Sequence, residues 1–423
     1  MQLQKLPVGS FEWIEPDSFD TTLITDFDEV SNVGYTIEVD LDYPENLHNA
    51  HRDFPLCPEK TRIVYDNLSP FTKQLFVDTY PGQNPASYTG VKLTPTLCNK
   101  SKVVLHIRTL KLYLELGMKL KKVHKVIKFR QSNFLATYIT KCTENRRKAK
   151  FEWERNMWKL FANSCYGKMI ENARNFVDIK IVNTQEKMLR HLNNPLFNHV
   201  KILTDSVQVI MLKQASIKIA KPIFIGMSIL EFAKLFMYHF WYNILKPAFQ
   251  NDKLTLHLHD TDSFIFSILK GRFNRALFSA DSSLRDIIDF SNLPVTNQFD
   301  SFRSKVQNTL HHTSLTDRKN VPGFVKDELN WDKMILFAGL RAKVYSFTYL
   351  KHVDGKQADK SACKGVNRGC VKQFLNTTQY VTVLFSQKTH SLSFHSLRKT
   401  KQSIALIKQR KKALCAFDDK LYA

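Results

Sequence analysis

The chain has 423 residues, 43% of them hydrophobic, with 62 Lys plus Arg against 39 Asp plus Glu and a formal net charge of +23. This apolar content excludes a wholly disordered basic chain and predicts two or three packed subdomains, while the charge favours a polyanionic partner, nucleic acid first. Seven scattered cysteines, odd in number, exclude a disulfide framework and point to an intracellular, reducing compartment, nucleus or cytoplasm undetermined.

Residues 1–50 are acidic. Within them Tyr35, Ile37, Val39, Leu41 and Tyr43 alternate with Thr36, Glu38, Asp40 and Asp42, which predicts a half-buried strand with its acids on one face. From Val91 to Arg190 there are about three basic residues for each acid, and the tail after Leu397 is basic again. Isolated clusters such as Lys119, Lys121 and Lys122 read as a solvated face.

From Thr143 to Asn172 there is no proline and one glycine, so the segment reads as one long helix or two, with Thr143 as N-cap. Arg147, Arg155 and Lys159 then share a row at i, i+4 spacing, a cationic edge suited to a triphosphate. Asn163 and Tyr166 follow on nearly the same side, where a planar aromatic can support a base, and Gly167 lets a backbone approach closely. The plainer alternative is an exposed basic helix with core aromatics. The apolar run Ile223 to Tyr242 contains Glu231, Lys234 and His239, and so reads as a buried amphipathic helix with no membrane role.

The segment Leu254 to Ile268 places Asp260-Thr261-Asp262-Ser263 between two apolar, strand-like flanks. A hairpin buried against a core would project both carboxylates from its tip, and a hard cation is the natural partner for two such acids. A metal pair there supports phosphoryl transfer. The bland alternative is an Asp-rich turn on an ordinary hairpin. His257 and His259 suggest a hydrolase metal site, but that pattern needs an acid where Thr261 stands. They read instead as solvent-facing or close to the nucleic acid. Cys363 and Cys370 bracket a loop and read as free thiols rather than a zinc site.

These residues reach a resemblance. Lys159-x-x-x-Asn163-Ser164-x-Tyr166-Gly167 resembles motif B of family B DNA polymerases, Asp260-Thr261-Asp262-Ser263 resembles motif C, and Lys343-Val344-Tyr345 resembles the downstream Lys-x-Tyr motif, in the same order. GYTIEVDLDYPENLHNAHRDFPLCPE, KPIFIGMSILEFAKLFMYHFWY and KKALCAFDDKLY are similar to the protein-primed branch of viruses, linear plasmids and Maverick/Polinton-type transposable elements. The resemblance implies an α+β, right-hand polymerase fold: an antiparallel palm sheet, helical fingers and a small thumb, lacking the exonuclease domain. Its expected divisions are a palm part over 1–140 with a priming-related insertion near 45–100, fingers over 141–180, a connecting segment or second insertion over 181–215, palm over 216–350, and thumb with basic tail over 351–423.

The resemblance further implies DNA-directed DNA polymerase activity with two Mg²⁺ ions, or Mn²⁺, held by Asp260 and Asp262. Arg147, Lys159, Asn163, Tyr166 and Gly167 would bind the incoming dNTP, and Thr261, Ser263, Lys343 and Tyr345 would contact primer and template DNA. A terminal priming protein is an expected partner. The family's motif A aspartate precedes a stretch resembling Gln4 to Trp13, so the chain reads as N-terminally truncated just after it. Asp42-Tyr43-Pro44 superficially resembles that motif's ending, but a polar strand face is the default for Glu38, Asp40 and Asp42. The competing expectation is a catalytically inactive, DNA-binding remnant.

Overall fold

A computed structural model of the chain describes residues 1–249, 254–268, 272–279, 283–309, 314–399 and 404–417. Its centre is a four-stranded antiparallel sheet in the order Leu6–Ile14, Lys119–Ser132, Val33–Asp42, Lys100–His106. The alternation in Val33–Asp42 does what the period of two demands: Ile37, Val39 and Leu41 are fully buried on one face. The acids of the other face meet bases of the neighbouring strand. Asp40 lies 2.9 Å from the His124 ring and accepts the Lys102 backbone N–H at 2.7 Å, Glu38 pairs with Lys125 at 3.4 Å, and Asp42 with Lys121 at 3.6 Å. These acids form a cross-strand charge ladder, the default reading of the sequence.

Against the apolar face lie the helix Ile107–Glu115 and the long helix Ile223–His239, which continues through a π-helical segment Phe240–Leu245. Lys246–Ala248 ends the run, and there Pro247 cannot donate a helical hydrogen bond. Ile223–Ala248 is long and apolar enough to cross a membrane by length and composition, and half of its apolar window is buried inside the molecule. Tyr113 is fully buried against Tyr238 of the long helix, Trp241 is fully buried against the hairpin residues Phe264 and Phe266, and Glu231 is buried with Lys234 as its partner. The core also closes over the hairpin formed by Leu254–His259 and Phe264–Ile268.

The segment expected to hold one long helix or two holds two, Ala136–Lys148 and Glu152–Met169, but Thr143 caps neither: it sits inside the first, donating its hydroxyl to Ile139 O at 2.9 Å. A hydroxyl satisfied by the preceding turn has no capping role. The break at Ala149 to Phe151 also removes Arg147 from the helical row of Arg155 and Lys159. Smaller sheets lie elsewhere among the described residues. Glu59–Val64 pairs with Thr89–Thr94, and Val177–Val182, Val207–Lys213 and Phe197–Thr204 form a three-stranded sheet over its own core of Val182, Ile210 and Leu212. Lys333–Arg341, Val344–Leu350 and Gln357–Cys363 form the third sheet, covered by the helix Thr377–Ser386 and followed by the long hairpin His390–Lys399 with Ile404–Leu414. All seven cysteines are free.

Candidate active site at two facing hairpin turns

The acidic hairpin is positioned by aromatic packing. Phe264 and Phe266 place their ring centroids 5.4 and 6.4 Å from Trp241 of the long helix, and Phe54 lies 5.4 Å from Phe264 and 4.7 Å from the His259 ring. Asp53 adds a polar tie, accepting the Leu256 N–H at 3.3 Å. With its flanks fixed, the tip has little freedom. The Asp260 N–H donates to Ser263 O at 3.1 Å, the Asp262 N–H to Asp260 O at 2.7 Å, and Thr261 adopts a left-handed φ of 62°.

A second turn faces the first. Arg341 pairs with Val344, leaving Ala342 and Lys343 as the turn of the hairpin Lys333–Arg341/Val344–Leu350, with Lys343 at φ 61°. The Lys343 Nζ donates to Asp260 Oδ1 at 2.8 Å. This bond, with the nearby carboxylates, raises the Lys343 pKa above its ordinary value. The Phe337 ring lies 5.8 Å from His257 and 6.1 Å from Tyr345, linking the two hairpins beneath their tips. Tyr345 is held protonated to higher pH, first by burial and then by the negative charge of Asp260. Left-handed backbone at a residue with a Cβ costs on the order of 1–3 kcal/mol, and here it occurs once in each of the two turns that meet.

The structure therefore joins Asp260, Asp262, Lys343 and Tyr345. Thr261 Oγ1 donates to Asp260 Oδ1 and Ser263 Oγ to Asp260 O, both at 3.3 Å, so these two hydroxyls support the turn. In this structure the partner of Asp260 is a lysine, because the Lys343 turn reaches it. Asp262 is exposed and makes no ion pair among the described residues. No cluster of three His, Cys, Asp or Glu side chains arranged to hold a metal occurs among the described residues. Two carboxylate donors on one open turn nevertheless suit Mg²⁺, which keeps several waters and binds through one or two carboxylates plus substrate phosphates. His257 and His259 are exposed, with His257 hydrogen-bonded to Ser267 at 2.9 Å.

Lys159, Asn163, Tyr166 and Gly167 lie together on the helix Glu152–Met169, while Arg147 ends the preceding helix. Ala162, Tyr166 and Met169 pack against a cluster containing Ile225, Ile229 and Phe232, which seats this helix on the start of the long core helix. Lys159, Asn163 and Gly167 are exposed, and a Cβ added at Gly167 would meet no atom within 4 Å. Among the described residues no hydrogen bond or ion pair joins this group to the hairpin tip. Glu38, Asp40 and Asp42 stay in the charge ladder of the central sheet. Asp53 and Phe337 were not foreseen. Nothing in their local sequence marks them, since each acts through a contact distant in the chain.

No protein-family model and no curated protein matches this sequence. Solved structures do match. Phi29 DNA polymerase in a ternary complex with primer-template DNA and incoming nucleotide substrates superposes with a TM-score of 0.53 at 13% identity over 98% of this chain. The orthorhombic crystal form gives 0.52 at 14% identity, and the post-translocation binary complex with primer-template DNA gives 0.51 at 14% over 97% of this chain. In each case the chain spans little more than half of the matched protein, 55% of its length in the ternary complex. At this identity the likeness is one of architecture: the mixed α/β fold with antiparallel sheets described above is similar to part of Phi29 DNA polymerase.

Proposed function

We propose that this chain is the polymerising part of a protein-primed, family B-like DNA polymerase, transferring nucleotides from dNTPs to a primer 3′-hydroxyl on a DNA template. The observation that carries the proposal is the Asp260–Thr261–Asp262 turn met by Lys343, within a fold similar to part of Phi29 DNA polymerase. In this reading the central sheet and acidic hairpin are palm, the helix pair Ala136–Met169 is fingers, and the elements after Leu350 are thumb. A terminal priming protein and an origin in a virus or mobile element rest on the sequence resemblance alone.

Asp260 and Asp262 would hold divalent cations, with Asp262 the more available because no lysine occupies it. When bound, Mg²⁺ would lower the pKa of the primer hydroxyl and neutralise charge developing on the leaving pyrophosphate. Lys343, which pairs with Asp260, would position that carboxylate and would offer its charge to a primer phosphate, with Tyr345 beside it. Lys159 and Arg147 would bind the triphosphate, Asn163 and Tyr166 would line the nucleotide pocket, and the open space over Gly167 would admit the nucleotide or template backbone. The net charge of +23 supplies template affinity independent of sequence.

A second reading is favoured by one observation: the tip presents two carboxylates and no third metal-ligating side chain among the described residues. On that reading the chain binds DNA without extending it. Templated extension of a primer with Mg²⁺ or Mn²⁺ separates the two. Incorporation that follows the template base, changing when that base is changed, supports the polymerase; a folded chain that binds primer-template and incorporates nothing supports the second reading.

A further inference from the structure

The corner between the helices Ala136–Lys148 and Glu152–Met169 carries two large aromatic side chains with no place in the core. Phe151 is 62% exposed and Trp153 is 65% exposed. Their rings lie within 13° of parallel with centroids 6.4 Å apart, so both present flat faces at one site. The corner is held firmly. Arg155 Nε donates to Ala149 O at 3.1 Å, the Arg155 N–H donates to Phe151 O at 3.1 Å, and Ala149 is buried. Four of the six residues Arg146 to Phe151 are cations, and Arg147, Lys148 and Lys150 are exposed without an ion pair among the described residues. The acids of this corner are Glu144, one turn earlier, and Glu152 and Glu154 in the first turn of the following helix, where they offset its N-terminal charge.

We infer that this corner binds an unpaired nucleic-acid strand, with bases stacked on Phe151 and Trp153 and phosphates against Lys148 and Lys150. Exposed rings interleaved with cations suit this occupant because every base has a π-face and every nucleotide a charge, whereas a duplex hides its base faces. The inference rests on the proposed function in taking DNA as the strand, and it adds a site that none of the polymerase-like motifs contains. An apolar protein partner would leave the three exposed cations unmatched.

The test uses the full chain with oligo(dT) of about 15 nucleotides, a length that spans a typical single-strand site, and with blunt duplex of equal length. Phe151→Ala/Trp153→Ala should weaken oligo(dT) binding about tenfold or more while duplex affinity stays within about twofold. Phe151→Tyr/Trp153→Phe, which keeps both ring faces, should restore binding, and the salt slope should be the same in all three because the cations are intact. Tryptophan fluorescence should quench on oligo(dT) in the wild type and much less in Phe151→Tyr/Trp153→Phe, a difference that isolates Trp153 from the other four tryptophans of the chain. No loss in the double alanine variant, an equal loss on duplex, absence of wild-type binding, or ring-dependent binding to phosphatidylserine vesicles in preference to oligo(dT) would each overturn the inference. Quenching without extension counts against the proposed function alone, and extension without quenching against this inference alone.

Discussion

Two helix glycines should respond to alanine with opposite sign. Gly167 lies in the last turns of Glu152–Met169 with no atom within 4 Å of an added Cβ, so Gly167→Ala gains helix propensity and meets no clash. The gain is about 1 kcal/mol, a rise in melting midpoint of about 2 °C in a chain of this size. Gly226 lies in Ile223–His239 under the end of the other helix, where an added Cβ would collide with the Ile170 Cγ2 methyl and sit 3.8 Å from Tyr166 Cε2. That methyl is branched at Cβ and cannot swing aside, so the backbones must part. Overpacking of this kind costs about 1–3 kcal/mol, which outweighs the propensity gain, and the midpoint should fall. Differential scanning calorimetry reads both. If the proposed function is right, Gly167→Ala also raises the dNTP KM, about tenfold, in a protein that is more stable. A stabilised Gly167→Ala chain with unchanged KM would refute the role of that open space, and a stabilised Gly226→Ala chain would refute the packing of the two helices.

Three further outcomes are expected. Lys343→Gln should change stability by less than about 1 kcal/mol, because the pair with Asp260 is half-exposed, yet tighten Mn²⁺ binding a few-fold in a titration by removing the competing cation; weaker Mn²⁺ binding would contradict the competition. His106 is fully buried with its pKa pushed down to about 3 by burial and then by Arg108, and His51 is likewise depressed to about 4 by burial, then Lys246 and His48. Both are neutral when folded, so stability is full above the unfolded value near 6.5 and is lost as pH falls below it. His106 alone accounts for about 2 kcal/mol at pH 5, and His106→Gln should flatten the urea-midpoint profile between pH 4 and 6.5. Asp262→Asn should leave DNA affinity and its salt slope within about twofold, measured by anisotropy, since phosphate contacts dominate binding; a large loss would move Asp262 from chemistry to binding.

What the sequence made legible was local. The Val33–Asp42 strand could be read because its alternation is unbroken and its acids needed bases across the sheet, which Lys121, His124 and Lys125 provide. The hairpin around Asp260 could be read from its apolar flanks and polar tip. The position of the helix break at Ala149 to Phe151 could not, because neither proline nor glycine marks it, and Thr143 looked like a cap while its hydroxyl serves the preceding turn. The Lys343 turn was hidden for a related reason: a lysine in left-handed backbone carries none of the usual turn signals, and its partner Asp260 is remote in the chain. The exposure of Phe151 and Trp153 was not legible either, since periodicity cannot say which face another element covers.

Single-turnover incorporation by Asp262→Asn and Asp40→Asn distinguishes chemistry at the Asp260–Asp262 turn from chemistry at the acids of the central sheet. Asp262→Asn should fall at least about a thousandfold, the loss of several kcal/mol of charge stabilisation, while Asp40→Asn stays within about twofold, because its carboxylate is already engaged by His124 and the Lys102 N–H. Normal incorporation by Asp262→Asn, or its loss in a folded Asp40→Asn chain alone, would contradict the assignment of chemistry to the hairpin turn.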